Sequence, residues 1–194
     1  MIVLARHGET DANRAGLLLG QADPPLNDHG RGQAARLAGA LTDADRPAIY
    51  TSPLSRARAT AAAIATATSA AVTVDERLLE LDYGAWDGLR LDQLPRGAAA
   101  SWRADPTFRP PDGESLVDLH RRVAPFAAAL RTSRDGTSIV VSHVSPIKAL
   151  LLTWLDLDPT YAWRLRLDVA SICRIGDGPA GPVLVTFNET GHLR

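Results

Sequence analysis

The feature that most constrains the fold is the alternation of short, uninterrupted apolar runs with longer segments of helical periodicity. The first run, Ile2–Ala5, has the length and composition of a strand that is buried on both faces, and Ile139–Ser142 is similar. Between such runs, apolar residues recur at helical spacing, as in Ala34, Leu37 and Leu41. Strands that alternate with helices predict an α/β fold with a largely parallel central sheet.

The same patterns give approximate bounds for the main elements. The predicted strands are Ile2–Ala5, Ala48–Thr51, Val72–Val74, Ile139–Ser142, Val169–Ile175 and Val183–Phe187. The predicted helices are His29–Leu41, Leu54–Thr68, a long helix with an apolar face from Leu116 to Leu130, and Pro146–Leu155. The proline-rich segment Arg103–Ser115 is interpreted as a surface loop within one domain.

Size and charge exclude several classes of protein. A chain of 194 residues is long enough for one domain, and we expect residues 1–194 to form a single one. The formal net charge of −1 gives no overall field for binding nucleic acid or an anionic membrane. Cys173 is the only cysteine, so neither an intrachain disulfide nor a cysteine-based zinc site can form. With no targeting motif and no apolar run long enough for a bilayer, we expect a cytoplasmic protein.

Basic and imidazole side chains follow three of the predicted strands, at the point where each strand ends. Arg6 and His7 come directly after the first strand, Arg56 lies in the first turn of the helix after the second, and His143 follows Ile139–Ser142. Because ligands of open α/β sheets bind at the carboxyl ends of the strands, we expect these four side chains to converge.

Two local features are expected to support such a pocket. Gly8 has no Cβ, which allows the backbone to approach a ligand closely. Ser145 and Pro146 suit the N-cap and the first position of the next helix, whose N-terminus would add backbone N–H donors.

The converging side chains suit a phosphoryl group. A guanidinium binds phosphoryl oxygens with a two-pronged set of donors and remains charged at any working pH. A neutral imidazole can attack phosphorus, and two neighbouring arginines should lower its pKa and keep it neutral. The residues therefore predict a phosphate-binding pocket with a histidine nucleophile.

Phosphoryl transfer to a histidine also needs a proton donor for the leaving oxygen. The segment 76–88 offers four carboxyl groups, and apolar neighbours with Trp86 could keep one of them protonated. The residues alone leave the choice open among Glu76, Glu80, Asp82 and Asp87.

Several motifs, in this order along the chain, resemble those of the histidine phosphatase superfamily, the phosphoglycerate mutase-like enzymes. They are Arg6–Thr10 with Asn13, Gly20-Gln21, Leu26 with Gly30–Ala34, Ser52–Ala61, Glu80 with Tyr83–Gly88, Pro111–Ser115 with Arg122-Val123, and Ser142-His143. The resemblance implies a three-layer α/β/α sandwich around a mostly parallel sheet. Within the superfamily, the chain is most similar to the α-ribazole phosphatase-like and broad-specificity phosphatase branch.

The resemblance also implies roles for individual residues. It makes His7 the nucleophile, Glu80 the proton donor, and Arg6, Asn13, Arg56 and His143 the groups that bind the phosphoryl group. Gln21 and Tyr83 are interpreted either as lining the substrate side or as packing and turn residues. The resemblance implies neither a metal ion nor an organic cofactor.

One position departs from the commonest family pattern. Many members have glycine after the second histidine, whereas this chain has Val144. We expect the valine side chain to narrow the pocket or to change its leaving-group side.

The motifs imply a metal-independent phosphomonoesterase that acts on small phosphorylated metabolites through a phosphohistidine on His7. A cofactor-dependent phosphoglycerate mutase is the nearest alternative, although the interval between Gly88 and Gly113 is short for one. A non-catalytic protein that binds phosphorylated ligands is a second alternative. The chain is expected to act as a monomer or a homodimer.

Overall fold

A six-stranded sheet lies at the centre of the protein, whose computed structural model describes residues 1–132 and 136–194. Its strands are β1 (Ile2–Arg6), β2 (Ala48–Thr51), β3 (Val72–Val74), β4 (Ser138–Ser142), β5 (Ile172–Gly178) and β6 (Gly181–Glu189). Their order is β3-β2-β4-β1-β5-β6. The first four are parallel to their neighbours, whereas β5 runs antiparallel to both β1 and β6. The predicted mostly parallel sheet is confirmed.

Helices cover both faces of this sheet. They are α1 (Asp11–Arg14), α2 (Asp28–Gly39), α3 (Ser55–Thr68), α4 (Ala98–Ala104), α5 (Leu116–Thr132) and α6 (Val144–Trp154). The apolar faces of α2 and α3 pack on one side of the sheet, and those of α5 and α6 on the other. The predicted three-layer α/β/α sandwich is confirmed.

Successive side chains of each strand point alternately to the two faces of the sheet, which explains why both faces of the sheet are apolar. In β1, Val3 and Ala5 face α2 and α3, while Leu4 faces the opposite layer. In β4, Ile139 and Val141 lie on the first side and Val140 on the second, and all five residues of the strand are buried. Successive side chains of a strand point to opposite faces, so a buried parallel strand needs an uninterrupted apolar run.

The start of α6 corrects one expectation. The helix begins at Val144 with His143 as the N-cap, so Ser145 and Pro146 are its second and third residues rather than the N-cap and first residue. Proline is tolerated there because the first N–H groups of a helix have no intrahelical acceptor. Ser145 is thereby left with a backbone N–H that can bind another group.

Two further differences concern the loops around the sheet. Helix α4 lies in a stretch that the sequence patterns leave irregular, and β5 begins at Ile172 rather than Val169. The later start of β5 reflects Ala170, whose φ of 52° is left-handed and therefore incompatible with a strand. The backbone N–H of Ala170 donates to the carbonyl of His7, which ties this bend to the end of β1.

No helix within residues 1–132 and 136–194 combines the length and the apolar character needed to cross a bilayer.

Candidate active site

The register between β1 and β4 brings two histidines together. Arg6 pairs with Ser142 in this parallel ladder, so His7 and His143 leave the sheet side by side. Their ring centroids are 5.0 Å apart, both side chains are buried, and the His7 backbone N–H donates to the Ser142 carbonyl over 3.1 Å. The expected convergence of the two histidines is therefore present in the structure.

The hydrogen bond of His7 defines which ring nitrogen can react. His7 Nδ1 lies 2.7 Å from the Gly8 carbonyl oxygen, which can only accept, so Nδ1 must carry the proton. In the neutral ring, Nε2 then holds the lone pair. Burial lowers the pKa of His7 well below its ordinary value, and the charges of Arg6 and Arg56 lower it further. The ring is therefore kept neutral and nucleophilic at Nε2.

His143 is oriented by a hydroxyl from the neighbouring strand. Ser52 follows β2, and its Oγ lies 2.8 Å from His143 Nε2. This oxygen also accepts from the Leu54 N–H, so the Ser52 proton can be donated to Nε2. That arrangement places the proton of a neutral imidazole on Nδ1. His143 Nδ1 is buried and has no hydrogen-bond partner within the described part of the chain.

Arg56 is a fully buried cation held mainly by carbonyl groups. Its Nη1 donates to the Ala22 carbonyl over 2.8 Å and its Nη2 to the Gly20 carbonyl over 2.7 Å. Asp23 Oδ1 lies 3.9 Å from Arg56 Nη1, and the Asp23 side chain is about half exposed. Its Nε is buried without a partner in the described residues. Burial of a guanidinium is costly unless an anion compensates its charge.

Arg6 supplies a second cation at the same edge. Its Nη1 donates to the Leu167 carbonyl over 2.7 Å, and its backbone N–H donates to the Ser171 carbonyl over 3.1 Å. The side chain is partly buried, and burial lowers its pKa. Like that of Arg56, its Nε is buried and unpartnered within residues 1–132 and 136–194. The two arginines thus give the edge a local positive charge.

The close approach at Gly8 is to protein backbone. A Cβ on Gly8 would lie 2.3 Å from the Gly30 carbonyl oxygen, at the first turn of α2. The Gly8 N–H donates to Thr60 Oγ1 over 3.2 Å. From the sequence we expect Gly8 to let the backbone approach a ligand, whereas in the structure the position requires glycine because α2 packs against it.

Glu80 is buried beside this positive edge. The residue is 4% exposed, and its Oε1 accepts from the N–H groups of Leu81 over 2.7 Å and Ser145 over 3.1 Å. Burial raises the pKa of Glu80, against the lowering effect of these N–H donors and of Arg56 and Arg6. A carboxyl with a raised pKa can remain protonated closer to neutral pH, as an acid catalyst requires.

The other three carboxyl candidates have different surroundings. Glu76 is exposed. Asp82 accepts from the Gly84 N–H over 2.8 Å in a local turn, and Asp87 accepts from the N–H groups of Gly20 and Ala22. Of the four, Glu80 is the buried one, so the geometry favours the residue that the family resemblance indicates.

Arg122 anchors the segment that carries Glu80. The family resemblance includes Arg122-Val123 among its motifs, but no role for Arg122 follows from the sequence. From α5, its Nη1 donates to the carbonyls of Arg77 and Leu79 over 2.8 and 2.9 Å. Its Nη2 donates to Glu114 Oε2 over 2.7 Å. The packing of α5 against residues 76–80 shows what Arg122 does: it holds the backbone of the segment that carries Glu80. Ser52 and Ser145 are two further contributors whose contacts the sequence does not reveal.

The remaining predicted site residues lie around these groups. Asn13 closes a capping box at α1, where its Oδ1 accepts from the Thr10 N–H over 3.1 Å. Gln21 is exposed, between the two residues whose carbonyls bind Arg56. Tyr83 is buried, and its hydroxyl lies 3.4 Å from Ser145 Oγ. Asn13 thus binds Thr10 at the start of α1, whereas Tyr83 adjoins Ser145, the residue that binds Glu80.

Within residues 1–132 and 136–194, no group of three or more His, Cys, Asp or Glu side chains is arranged to hold a metal ion.

The family profile described as histidine phosphatase superfamily (branch 1) matches residues 2–190. Among curated proteins, a bifunctional protein of Mycobacterium tuberculosis is 37% identical over 200 residues, which make up 99% of this chain but 54% of that protein. The chain thus spans about half the length of the first curated relatives that it matches. Phosphoserine phosphatase 1 of Hydrogenobacter thermophilus is 32% identical over 199 residues, covering 99% of this chain and 93% of the relative.

A solved structure shows the same likeness in three dimensions. Mycobacterial glucosyl-3-phosphoglycerate phosphatase in complex with VO3 superposes with a TM-score of 0.90 at 32% sequence identity. The superposition covers 97% of this chain and 99% of that one. The likeness therefore extends over nearly the whole length of both chains.

Proposed function

The chain belongs to the histidine phosphatase superfamily, as its motifs predict, and we propose that it is a metal-independent phosphomonoesterase acting through a phosphohistidine on His7. Its substrates would be small phosphorylated metabolites. Relatives named for phosphoserine and for glucosyl-3-phosphoglycerate support this class of substrate.

The observation that carries the proposal is the pair of buried cations beside a neutral imidazole. Arg56 and Arg6 bind carbonyl groups, and each keeps a buried, unpartnered Nε within the described residues. A phosphoryl dianion would compensate both charges and accept from these donors. His143 Nδ1 would add a further donor.

In the first step, the lone pair of His7 Nε2 attacks phosphorus and the bond to the leaving oxygen breaks. The Glu80 carboxyl gives its proton to that oxygen, so an alcohol leaves and Glu80 becomes a carboxylate. His7 keeps its Nδ1 proton, and the Gly8 carbonyl stabilises the positive charge on the phosphorylated ring. Arg6, Arg56 and His143 neutralise the charge on the equatorial oxygens.

In the second step, water attacks phosphorus. The Glu80 carboxylate takes a proton from this water, and the electrons of the P–N bond return to Nε2 of His7. Inorganic phosphate leaves, and both residues regain their starting protonation states. The net reaction is a phosphomonoester plus water giving an alcohol plus phosphate.

The test is to trap the intermediate. The protein is mixed with a labelled phosphomonoester and quenched in alkali, in which phosphohistidine persists. We expect label on the wild type and none on His7→Ala. His29→Ala is the matched control, because His29 is exposed and should leave both the label and the turnover unchanged.

Two results would overturn the proposal. One is His7→Ala turning over an aryl phosphate at a near-normal rate. The other is turnover that a chelator abolishes and a divalent ion restores, because the proposed steps use only protein groups and water.

A further inference from the structure

A loop beside the strand edge holds the guanidinium of Arg6. Residues 165–171 form this support loop, which connects the 3₁₀ segment Pro159–Arg164 to β5. The Leu167 carbonyl accepts from Arg6 Nη1 over 2.7 Å, and the Ser171 carbonyl accepts from the Arg6 backbone N–H over 3.1 Å. The register between β1 and β4 fixes the backbone of Arg6, whereas the direction of its guanidinium depends on the Leu167 carbonyl.

The hydrogen bond to Leu167 leaves the other edge of the Arg6 guanidinium for a ligand. That edge consists of Nε and Nη2, and Nε is buried without a partner in the described part of the chain. A guanidinium binds two phosphoryl oxygens through parallel N–H groups of one edge. The position of the support loop therefore sets the direction of the donors that would bind a phosphoryl group.

The support loop has a strained backbone. Ala170 is fully buried and has a φ of 52°, a left-handed conformation that is unfavourable for a residue with a Cβ. Its N–H donates to the His7 carbonyl over 3.0 Å. Backbone strain of this kind persists only where the surrounding structure holds it. Contacts from outside the loop are therefore needed to keep Leu167 and Ala170 in place.

Such contacts come from the end of β6 and the turn that follows it. The Asn188 side chain makes two hydrogen bonds with Asp168: its Oδ1 accepts from the Asp168 N–H over 2.8 Å, and its Nδ2 donates to Asp168 Oδ2 over 2.9 Å. His192 Nε2 lies 2.9 Å from the Ala170 carbonyl oxygen, which can only accept, so Nε2 carries the proton. Side chains 20 and 22 residues further along the chain thus bind the support loop at two points.

The local structure of β6 directs Asn188 to this contact. Between its pairings with Ile172 and Arg174 of β5, β6 contains two residues where β5 contains one. Asn188 lies in this bulge with a φ of 55°. An extra residue bends a strand and changes the direction of a side chain, and asparagine tolerates the left-handed conformation better than most residues with a Cβ. Both the bulge and the residue type therefore suit an amide that binds the support loop.

Asp168 also brings a negative charge close to Arg6. The two charges attract each other across the support loop. The hydrogen bond from Asn188 lowers the pKa of Asp168 below its ordinary value and keeps the carboxylate ionised. The ion pair of Asp168 with Arg166 is exposed and contributes little to stability. Asn188 thus supports both the position of the loop and the charge opposite Arg6.

We propose that Asp168, Asn188 and His192 are positioning residues, which hold the Arg6 guanidinium in the orientation that binds the phosphoryl group. They act through the support loop and its Leu167 carbonyl, not by contact with the substrate. The assignment rests on the role of Arg6 in the proposed function and extends the site to residues at the end of β6. If these residues served the fold alone, their loss would lower stability and leave the folded enzyme fully active.

The first experiment removes the amide of Asn188. Asn188→Gly keeps the left-handed backbone accessible and deletes both hydrogen bonds to Asp168. We expect kcat/KM to fall by about 10–100-fold, for aryl and alkyl phosphates alike, because a small displacement of a positioned group costs up to about 10²-fold. Phosphate release is measured at a temperature at which the thermal unfolding curve shows the variant to be folded.

Glu189→Gln is the matched control. Glu189 is the next residue of β6 and pairs with Arg174 of β5 over 3.2 Å, within the same hairpin. We expect this variant to lower the unfolding temperature and to leave kcat/KM unchanged. His192→Ala, which removes one hydrogen bond, should lower kcat/KM by a smaller factor than Asn188→Gly. A comparable loss in Glu189→Gln, or an unchanged kcat/KM in both Asn188→Gly and His192→Ala, would overturn the assignment.

An exchange of the two side chains tests the hydrogen bonds directly. Asn188→Asp places two carboxylates opposite each other, so it should lower kcat/KM at least as much as Asn188→Gly. Adding Asp168→Asn to this variant restores an amide opposite a carboxylate, with donor and acceptor exchanged. We expect the double variant to recover most of the lost kcat/KM. No recovery would contradict a role that depends on this pair of hydrogen bonds.

A binding measurement separates the positioning role from the proposed catalysis. Calorimetric titration with inorganic phosphate compares Asn188→Gly with its parent in the wild type and in Arg6→Lys, which keeps the charge but has no planar edge to orient. We expect Asn188→Gly to weaken phosphate binding in the wild type and to have little effect in Arg6→Lys. Equal factors in both backgrounds, or no binding of phosphate by the wild type, would overturn the assignment.

The two proposals can therefore fail independently. Phosphate binding that depends on Asn188 only when Arg6 is present supports the positioning role even if the wild type releases no phosphate from any ester, a result that would overturn the phosphatase proposal alone. Normal phosphate release by the wild type, with kcat/KM and phosphate affinity unchanged in Asn188→Gly, would overturn the positioning role alone.

Discussion

The two sides of the candidate site are held in place by different means. On the strand side, the register between β1 and β4 positions His7 and His143. The register between β2 and β4 positions Ser52, which comes directly after β2. On the acid side, Glu80 lies in an irregular segment that Arg122 fixes through three backbone carbonyls and Glu114. Ladder hydrogen bonds position the first side, and side-chain hydrogen bonds position the second.

The two sides also differ in the direction in which the pKa values of their groups are shifted. Burial and neighbouring arginines lower the pKa of both histidines, whereas burial raises the pKa of Glu80. A low pKa keeps a nucleophile unprotonated, and a high pKa keeps an acid protonated. Acid and base roles can thus coexist at one pH because one fold surrounds the two kinds of group differently.

The largest expected effect is on the strand side. Arg56→Lys should lower kcat/KM by about 10³-fold or more for aryl and alkyl phosphates alike, because a point charge cannot reproduce the planar donors that neutralise the transition state. Steady-state phosphate release measures this. Arg58→Lys is the control, since Arg58 is exposed two residues further along α3. A similar loss of kcat/KM in both variants would mean that the substitutions act by disturbing α3 and not by removing a contact in the site.

A loss that depends on the leaving group is expected on the acid side. Glu80→Gln should lower kcat for alkyl phosphates by about 10²–10⁴-fold, the usual range for a general acid, and affect p-nitrophenyl phosphate far less. The reason is that nitrophenolate leaves without a proton. The decisive measurement is kcat against the pKa of the leaving alcohol. Equal losses for both esters would remove Glu80 from the acid role.

Loosening the anchor of the acid side should have an intermediate effect. Arg122→Met leaves the carbonyls of Arg77 and Leu79 without their donor, at a cost of about 1–3 kcal/mol in the free energy of unfolding for each buried unsatisfied group. Alkyl phosphate turnover should fall more than aryl turnover. Urea unfolding and the two assays measure these effects. Arg121→Met, an exposed neighbour, should change neither by a comparable amount.

The last expected effect is on stability rather than on turnover, and its pH dependence has opposite signs on the two sides. The folded-state pKa values of His7 and His143 are lowered, so the unfolded chain binds more protons and stability falls as the pH drops from about 7 to 5, by up to about 1.4 kcal/mol per pH unit for each histidine. The folded-state pKa of Glu80 is raised, so its contribution is present at low pH and is lost as the pH rises through that value.

Chemical unfolding at a series of pH values gives the free energy of unfolding as a function of pH and checks these two signs. His143→Gln should reduce the fall in this free energy on the acidic side of the curve (the acidic limb), and Glu80→Gln should raise the free energy of unfolding towards neutral pH. His29→Gln, at an exposed position, should change neither limb. A wild-type acidic limb that His143→Gln leaves unchanged would contradict the burial argument.

The strand side could be predicted from the sequence in most respects. Arg6, His7, Arg56 and His143 each lie next to an apolar run, and parallel strands bring their carboxyl ends to one edge. The acid side could not be predicted in this way. Four carboxyl groups within residues 76–88 are equivalent as sequence, and burial separates Glu80 from the other three.

The sequence by itself determined the layered α/β fold, the strand ends and the phosphate chemistry of the side chains there, because apolar periodicity and strand direction are local properties of the chain. Only the tertiary structure decided which carboxyl group is buried, which arginine of 20 anchors it, and that Asn188 and His192 bind the loop beside Arg6. These outcomes depend on contacts between residues distant in the chain, and it is burial at those contacts that shifts pKa values and leaves donors without acceptors.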